Sequence, residues 1–126
     1  VGYCLSVHES PNGFRWRRLP DRNEDAVLEE GMITSNEPGY YVEGGYGIRH
    51  ENMIVCKKAE KNEYGQFMCF ENLTMVPFDL DAIDPDQMTV KEKQLLNDYH
   101  KEVYEKIAPY LTEEERAWLK EATREI

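Results

Sequence analysis

The sequence predicts an α+β fold, with an antiparallel sheet ahead of two C-terminal helices. Three observations carry that prediction. Short strand-like runs punctuated by Gly and Pro fill the chain as far as Gln87. From Thr89 onward the apolar residues change to helical spacing, at Leu95, Leu96, Tyr99, Val103 and Ile107. Two Thr-x-x-Glu boxes, Thr89 with Glu92 and Thr112 with Glu115, each stand just before a helical run. Strands first and helices last place the helices over the sheet or against another domain. The chain accordingly divides into a mostly β part, residues 1–87, and a helical part, residues 88–126.

Each element follows in order. "VGYCLSVH" reads as a buried strand already at full stride, with no polar lead-in and no Met, so a longer protein is expected. Residues 9–31 form a polar loop broken by Pro11, Gly13 and Pro20. "MITSNEP" from Met32 is a strand that Pro38-Gly39 interrupts. "YYVEGGYGIRHENMIVCKKA" is a hairpin turning at Gly44-Gly45 and running to Ala59. Lys57–Gln66 is polar and turn-like, and "FMCFENLTMVPF" is a further strand ended by Pro77. The first helix stops at Pro109, and Ala117, Trp118, Leu119 and Ala122 supply the apolar face of the second.

Composition narrows the function. The 126 residues carry a net charge of −10, which argues against a general nucleic-acid binder, and the small cluster Arg15, Arg17, Arg18 and Arg22 reads as a solvated loop. No apolar stretch is long enough to span a membrane. Cys4, Cys56 and Cys69 have no metal-binding or redox spacing and read as small buried thiols in a reducing compartment, hence a cytoplasmic protein. The glycines of "EGGYG" lack the helix and lysine of a phosphate loop and are better read as a turn.

The titratable residues that stand out are His8, Glu37 and Glu51. Glu37 and Glu51 flank the hairpin, each beside an apolar run. Carboxylates there are costly unless paired or bound to a cation. If the strands are neighbours, the two converge, and with an imidazole they would suit a divalent first-row metal such as Mn²⁺, Co²⁺ or Zn²⁺. The alternative is that each is a surface residue or pairs with Arg49. His50 should point away from Arg49 and Glu51 by strand alternation, and His100 should lie on the polar face of the first helix.

The stretches "NEPGYY" and "GYGIRHEN", with upstream "VHESP" and "LEEGMITS", closely resemble the C-terminal half of the catalytic domain of Xaa-Pro aminopeptidases (aminopeptidase P). These are metallopeptidases of the pita-bread fold, shared with methionine aminopeptidase, prolidase and creatinase. The resemblance covers essentially the whole chain: "NLTMVPFDLDAID" and the two helices look like the tail of the cytosolic eukaryotic enzymes. Residues 1–87 would then be the C-terminal half of the pita-bread domain and 88–126 its helical extension. The family's centre holds two metal ions, usually Mn²⁺, on two aspartates, one histidine and two glutamates. By resemblance Glu37 is the first ligand glutamate and also the proton carrier, and Glu51 is the last ligand, bridging both metals. His8 matches a catalytic histidine that hydrogen-bonds substrate and helps move protons without ligating metal, and Tyr41 and Arg49 match residues that order the site.

What the resemblance implies is removal of an N-terminal residue from peptides with proline at the second position. It also marks departures. The ligand histidine would stand two residues before Val1 and both aspartates earlier still, while Ser10 and His50 replace a common glycine and a common aliphatic residue. The chain alone is therefore expected to bind metal poorly, to be inactive, and to associate with its missing N-terminal part or with a second copy as a homodimer. The competing readings are a metal-free pita-bread interaction module and a sister peptidase such as prolidase.

Overall fold

The computed structural model describes residues 12–14 and 27–126. The expected first strand, His8, Cys4 and the four arginines lie outside the described residues. The chain forms two compact units, Val1–Thr74 and Met75–Ile126.

The first unit is β. Strands β1 (Ile33–Asn36), β4 (Asn52–Asn62) and β5 (Gly65–Asn72) make an antiparallel sheet in the order β1-β4-β5. Strands β2 (Gly39–Tyr41) and β3 (Gly47–Arg49) make a separate two-stranded ladder. The central strand β4 buries its first half, with Asn52, Ile54, Val55 and Cys56 buried beside Thr34 of β1. Its second half is exposed throughout.

That exposed half corrects one expectation. Lys57–Gln66 is not a loop: β4 continues to Asn62, a two-residue turn follows, and Gly65 at φ +130° starts β5. The stretch looked turn-like because a strand with both faces in water needs no apolar alternation. Cys69 lies on the exposed strand β5 and is itself exposed, whereas Cys56 is buried as expected.

The second unit is irregular, then helical. Its helices are α1 (Val90–Ile107) and α2 (Glu113–Ala122). Both expected capping boxes form: the Thr89 and Thr112 hydroxyls accept from the backbone N–H of Glu92 and Glu115, and those carboxylates accept in return. The core is Leu96, Tyr99, Val103, Ala108 and Leu119. The segment ahead of α1 packs against it through Met75, Phe78, Leu80, Ile83 and Met88. The helical unit thus begins at Met75, ahead of the change in periodicity used to divide 1–87 from 88–126. Four helix positions also differ from expectation, one of them Ala117, which is exposed. His100 is fully buried rather than on a polar face, while Leu95 and Trp118 are exposed. His100 lies four residues after Leu96 and three before Val103, so it shares their inward stripe.

Candidate metal centre

The two ladders of the hairpin share one register. The last rung of β1 with β4 is Asn36 opposite Asn52, and the first rung of β2 with β3 is Gly39 opposite Arg49. One step beyond the first brings Glu37 opposite Glu51. One step before the second brings Pro38 opposite His50. The interruption falls where Pro38 supplies no N–H. The hairpin is therefore one long pair of strands with two rungs left open, and the two carboxylates face each other across the opening.

Alternation then sorts the side chains. Ser35, Glu37, Gly39 and Tyr41 share a face with their partners Met53, Glu51, Arg49 and Gly47. His50 falls on the opposite face, as expected from the sequence. The carboxylates converge on one cation. Arg49 Nε lies 3.4 Å from Glu51 Oε2 and 4.0 Å from Glu37 Oε2. The other Glu37 oxygen, Oε1, accepts from the Ser35 hydroxyl at 2.9 Å. The Tyr41 hydroxyl first, and then the charges of Glu51 and Glu37, hold the Arg49 guanidinium above its ordinary pKa, so it is a permanent cation.

The three charged side chains remain about half exposed, 51% for Arg49, 41% for Glu37 and 42% for Glu51. Exposed ion pairs contribute little stability, roughly 0–1 kcal/mol each. Their value is in orientation. Two carboxylates held face to face by one guanidinium are hard oxygen donors, the chemistry that a divalent first-row or alkaline-earth ion favours. Among the described residues no group of three or more His, Cys, Asp or Glu could by itself hold a metal ion. The donor chemistry of Glu37 and Glu51 suits a metal, and each could serve as one ligand beside donors from elsewhere.

The structure thus brings together Glu37, Glu51, Arg49 and Tyr41, while His8 lies outside the described residues. The earlier alternative, pairing with Arg49, and the convergence of the two carboxylates are one arrangement. Sequence reasoning overlooked three residues on this face: Ser35, which holds Glu37, and the two glycines Gly39 and Gly47. The available signal was their spacing, with each glycine two residues from Glu37 or Arg49 on the same face.

Residues 1–58 match the model of metallopeptidase family M24, and residues 66–126 match the model of the C-terminal region of peptidase_M24. A probable Xaa-Pro aminopeptidase P of Coprinopsis cinerea is 42% identical over 131 aligned positions, covering 100% of this chain and 21% of that protein. Xaa-Pro aminopeptidase 1 of Dictyostelium discoideum is 41% identical over 112, covering 88% of this chain and 17% of that protein. The chain spans about a fifth of the length of the curated relatives it matches. Among solved structures, an X-prolyl aminopeptidase of Caenorhabditis elegans, described as a cytosolic enzyme with a di-nuclear active site, superposes with a TM-score of 0.70. That match is 30% identical and covers 79% of this chain and 17% of that one.

Proposed function

Because the chain belongs to metallopeptidase family M24 and its α+β architecture is part of the pita-bread fold, we propose that it serves as the carboxylate-bearing portion of a Xaa-Pro aminopeptidase active site. The observation that carries this reading is the pair Glu37 and Glu51, opposed in register at the open rungs and joined by Arg49. The reaction is removal of the N-terminal residue from a peptide whose second residue is proline.

Glu37 and Glu51 would hold two divalent metal ions, manganese by preference, together with ligands beyond the described residues. When bound, the metal pair polarises the scissile carbonyl and makes water acidic enough to serve as nucleophile near neutral pH. The protein residues do the rest. A Glu37 carboxylate oxygen takes the water proton and passes it to the departing proline nitrogen. The Ser35 hydroxyl fixes Glu37 Oε1, while Oε2 is turned toward Arg49 and Glu51. Glu51 would be the second hairpin ligand to the metal pair, and Arg49 holds the two carboxylates facing each other. His8 binds the substrate carbonyl side. The enzyme works in the cytoplasm, and this chain alone is inactive.

The test is Glu37→Gln and Glu51→Gln in the full-length protein, assayed with a Xaa-Pro peptide in Mn²⁺. Loss of a general base predicts a fall in kcat of about 10²–10⁴-fold for Glu37→Gln. Glu51→Gln is expected to lower bound manganese below two ions per protein by elemental analysis. Wild-type rates in both variants would sink the assignment.

A further inference from the structure

We infer that Gly39 and Gly47 are positioning residues, together forming a slot in which the Tyr41 ring lies flat along the hairpin and fixes the guanidinium that spans Glu37 and Glu51. The two glycines are not there for backbone freedom. The positive-φ glycines among the described residues are Gly31, Gly44 and Gly65, so the backbone at 39 and 47 would accept an alanine. Space is what excludes one. A Cβ on Gly39 would stand 2.7 Å from Tyr41 Cζ, and a Cβ on Gly47 would stand 2.6 Å from Tyr41 Cδ1. Real Cβ atoms essentially never come so close, so with either alanine the exposed Tyr41 ring would have to leave its place along the hairpin.

The register explains the geometry. Gly47 is the cross-strand partner of Tyr41, and Gly39 is the partner of Arg49. Gly39 and Tyr41 are two residues apart on one strand and so share a face. The ring begins over its own partner and runs diagonally back over Gly39. Its hydroxyl end therefore arrives over Gly39, at the rung where Arg49 stands, where it helps hold the guanidinium protonated. An aromatic ring laid over glycine is also a means of pinning strand register. Without it, a half-exposed arginine on a long stem would spread over many rotamers and hold neither carboxylate. The slot stands on geometry alone, and its functional half rests on Glu37 and Glu51 being metal ligands.

The experiment uses the full-length protein with Gly39→Ala, Gly47→Ala, Tyr41→Ala, Tyr41→Phe and the two glycine–Tyr41→Ala double variants. In the metal-free protein each glycine substitution is expected to lower the thermal midpoint when Tyr41 is present. Neither should lower it further in the Tyr41→Ala background, where the ring that supplies its nearest contacts is gone. Additive losses in that cycle overturn the slot. Titration with Mn²⁺ reads the positioning role. An outer-shell defect predicts affinity about 10–100-fold weaker for both glycine variants, with Tyr41→Phe, which keeps the ring but not the hydroxyl, weakened as well. Unchanged Mn²⁺ affinity in the glycine variants overturns positioning even if the thermal cycle is non-additive. A native protein that binds no Mn²⁺ overturns the metal reading and with it the functional half, while the thermal cycle still decides the slot.

Discussion

His100 shows how much one polar side chain can hide from a sequence reading. Its ring is fully buried, and Nε2 accepts the Phe78 backbone N–H at 3.1 Å. The proton of the neutral ring therefore sits on Nδ1, which faces the Arg124 backbone without a well-formed hydrogen bond. Burial pushes the His100 pKa below its ordinary 6.5, and the Arg124 backbone offsets this only in part. A folded-state pKa that is lowered means that the unfolded chain binds the extra proton more readily. This contribution to stability is thus fully present above about pH 6.5 and is lost as pH falls below it. Thermal unfolding of the helical unit should show a midpoint falling from pH 7 to 5. His100→Phe should flatten that slope while stranding the Phe78 N–H at a cost of about 1–3 kcal/mol. An unchanged slope in the variant would rule His100 out as its source. A histidine at helical spacing among leucines and a valine escapes a reading by polarity, and only its place in the apolar stripe reveals its burial. Glu37 and Glu51, by contrast, were legible as a pair, although what joins them, Arg49 Nε between the two, needed coordinates.

At the scale of elements, the features written in local chemistry were the readable ones. Thr89 and Thr112 announce helix starts because a hydroxyl and a carboxylate three residues on satisfy two otherwise unpaired N–H groups. Both boxes are present, with Thr89 N–H donating to Glu92 Oε2 at 2.8 Å and Thr112 N–H to Glu115 Oε2 at 2.9 Å. The Thr89 hydroxyl and then its N–H hold the Glu92 carboxyl below its usual pKa range, and the Thr112 N–H and then its hydroxyl do the same for Glu115. Thr89→Ala is expected to destabilise the helical unit by about 1 kcal/mol, a drop of roughly 4–8 °C in Tm for a small domain. Calorimetry showing no shift would mean that α1 does not depend on its cap. Strand β4 was harder to read. Its second half, with Lys57, Lys58, Glu60, Lys61 and Asn62, is polar because it is solvated, and polarity there resembles a loop. The turn that ends it is defined by Asn62 Oδ1 accepting from Tyr64 N–H and by the positive φ of Gly65, which composition alone did not single out.

For the whole molecule, the two compact units each bury a small core and leave large apolar side chains in water. Tyr40, Tyr46 and Ile48 are exposed on the hairpin, and Leu95, Tyr110 and Trp118 on the helical unit. Exposed aromatic and aliphatic groups in this number favour association. The chain alone, at micromolar concentration, is expected to scatter light as a species heavier than 14.8 kDa and to hydrolyse no Xaa-Pro peptide. A monomer with a single cooperative thermal transition would contradict the first expectation. The sequence foretold the order of sheet and helices. It did not reveal the division at Thr74–Met75, because the segment ahead of α1 has no regular period and joins the helical core through scattered single residues, Met75, Phe78 and Leu80 among them.

The interrupted hairpin also sets what this protein can tolerate in length. The distance from Glu37 to Glu51 is governed by the rungs on either side of the opening, not by the loop that closes the far end. That end is sealed by Val42 N–H donating to Tyr46 O and Gly45 N–H donating to Val42 O. Beyond that seal, Glu43 and Gly44 could give way to a longer insert, such as an epitope or a fluorophore tag, with both acids still opposed. A single residue added between Glu37 and Gly39, or lost between Arg49 and Glu51, would turn one acid to the opposite side. In this hairpin the apex is open to grafting, and the two short stretches beside the acids are closed to any change in count.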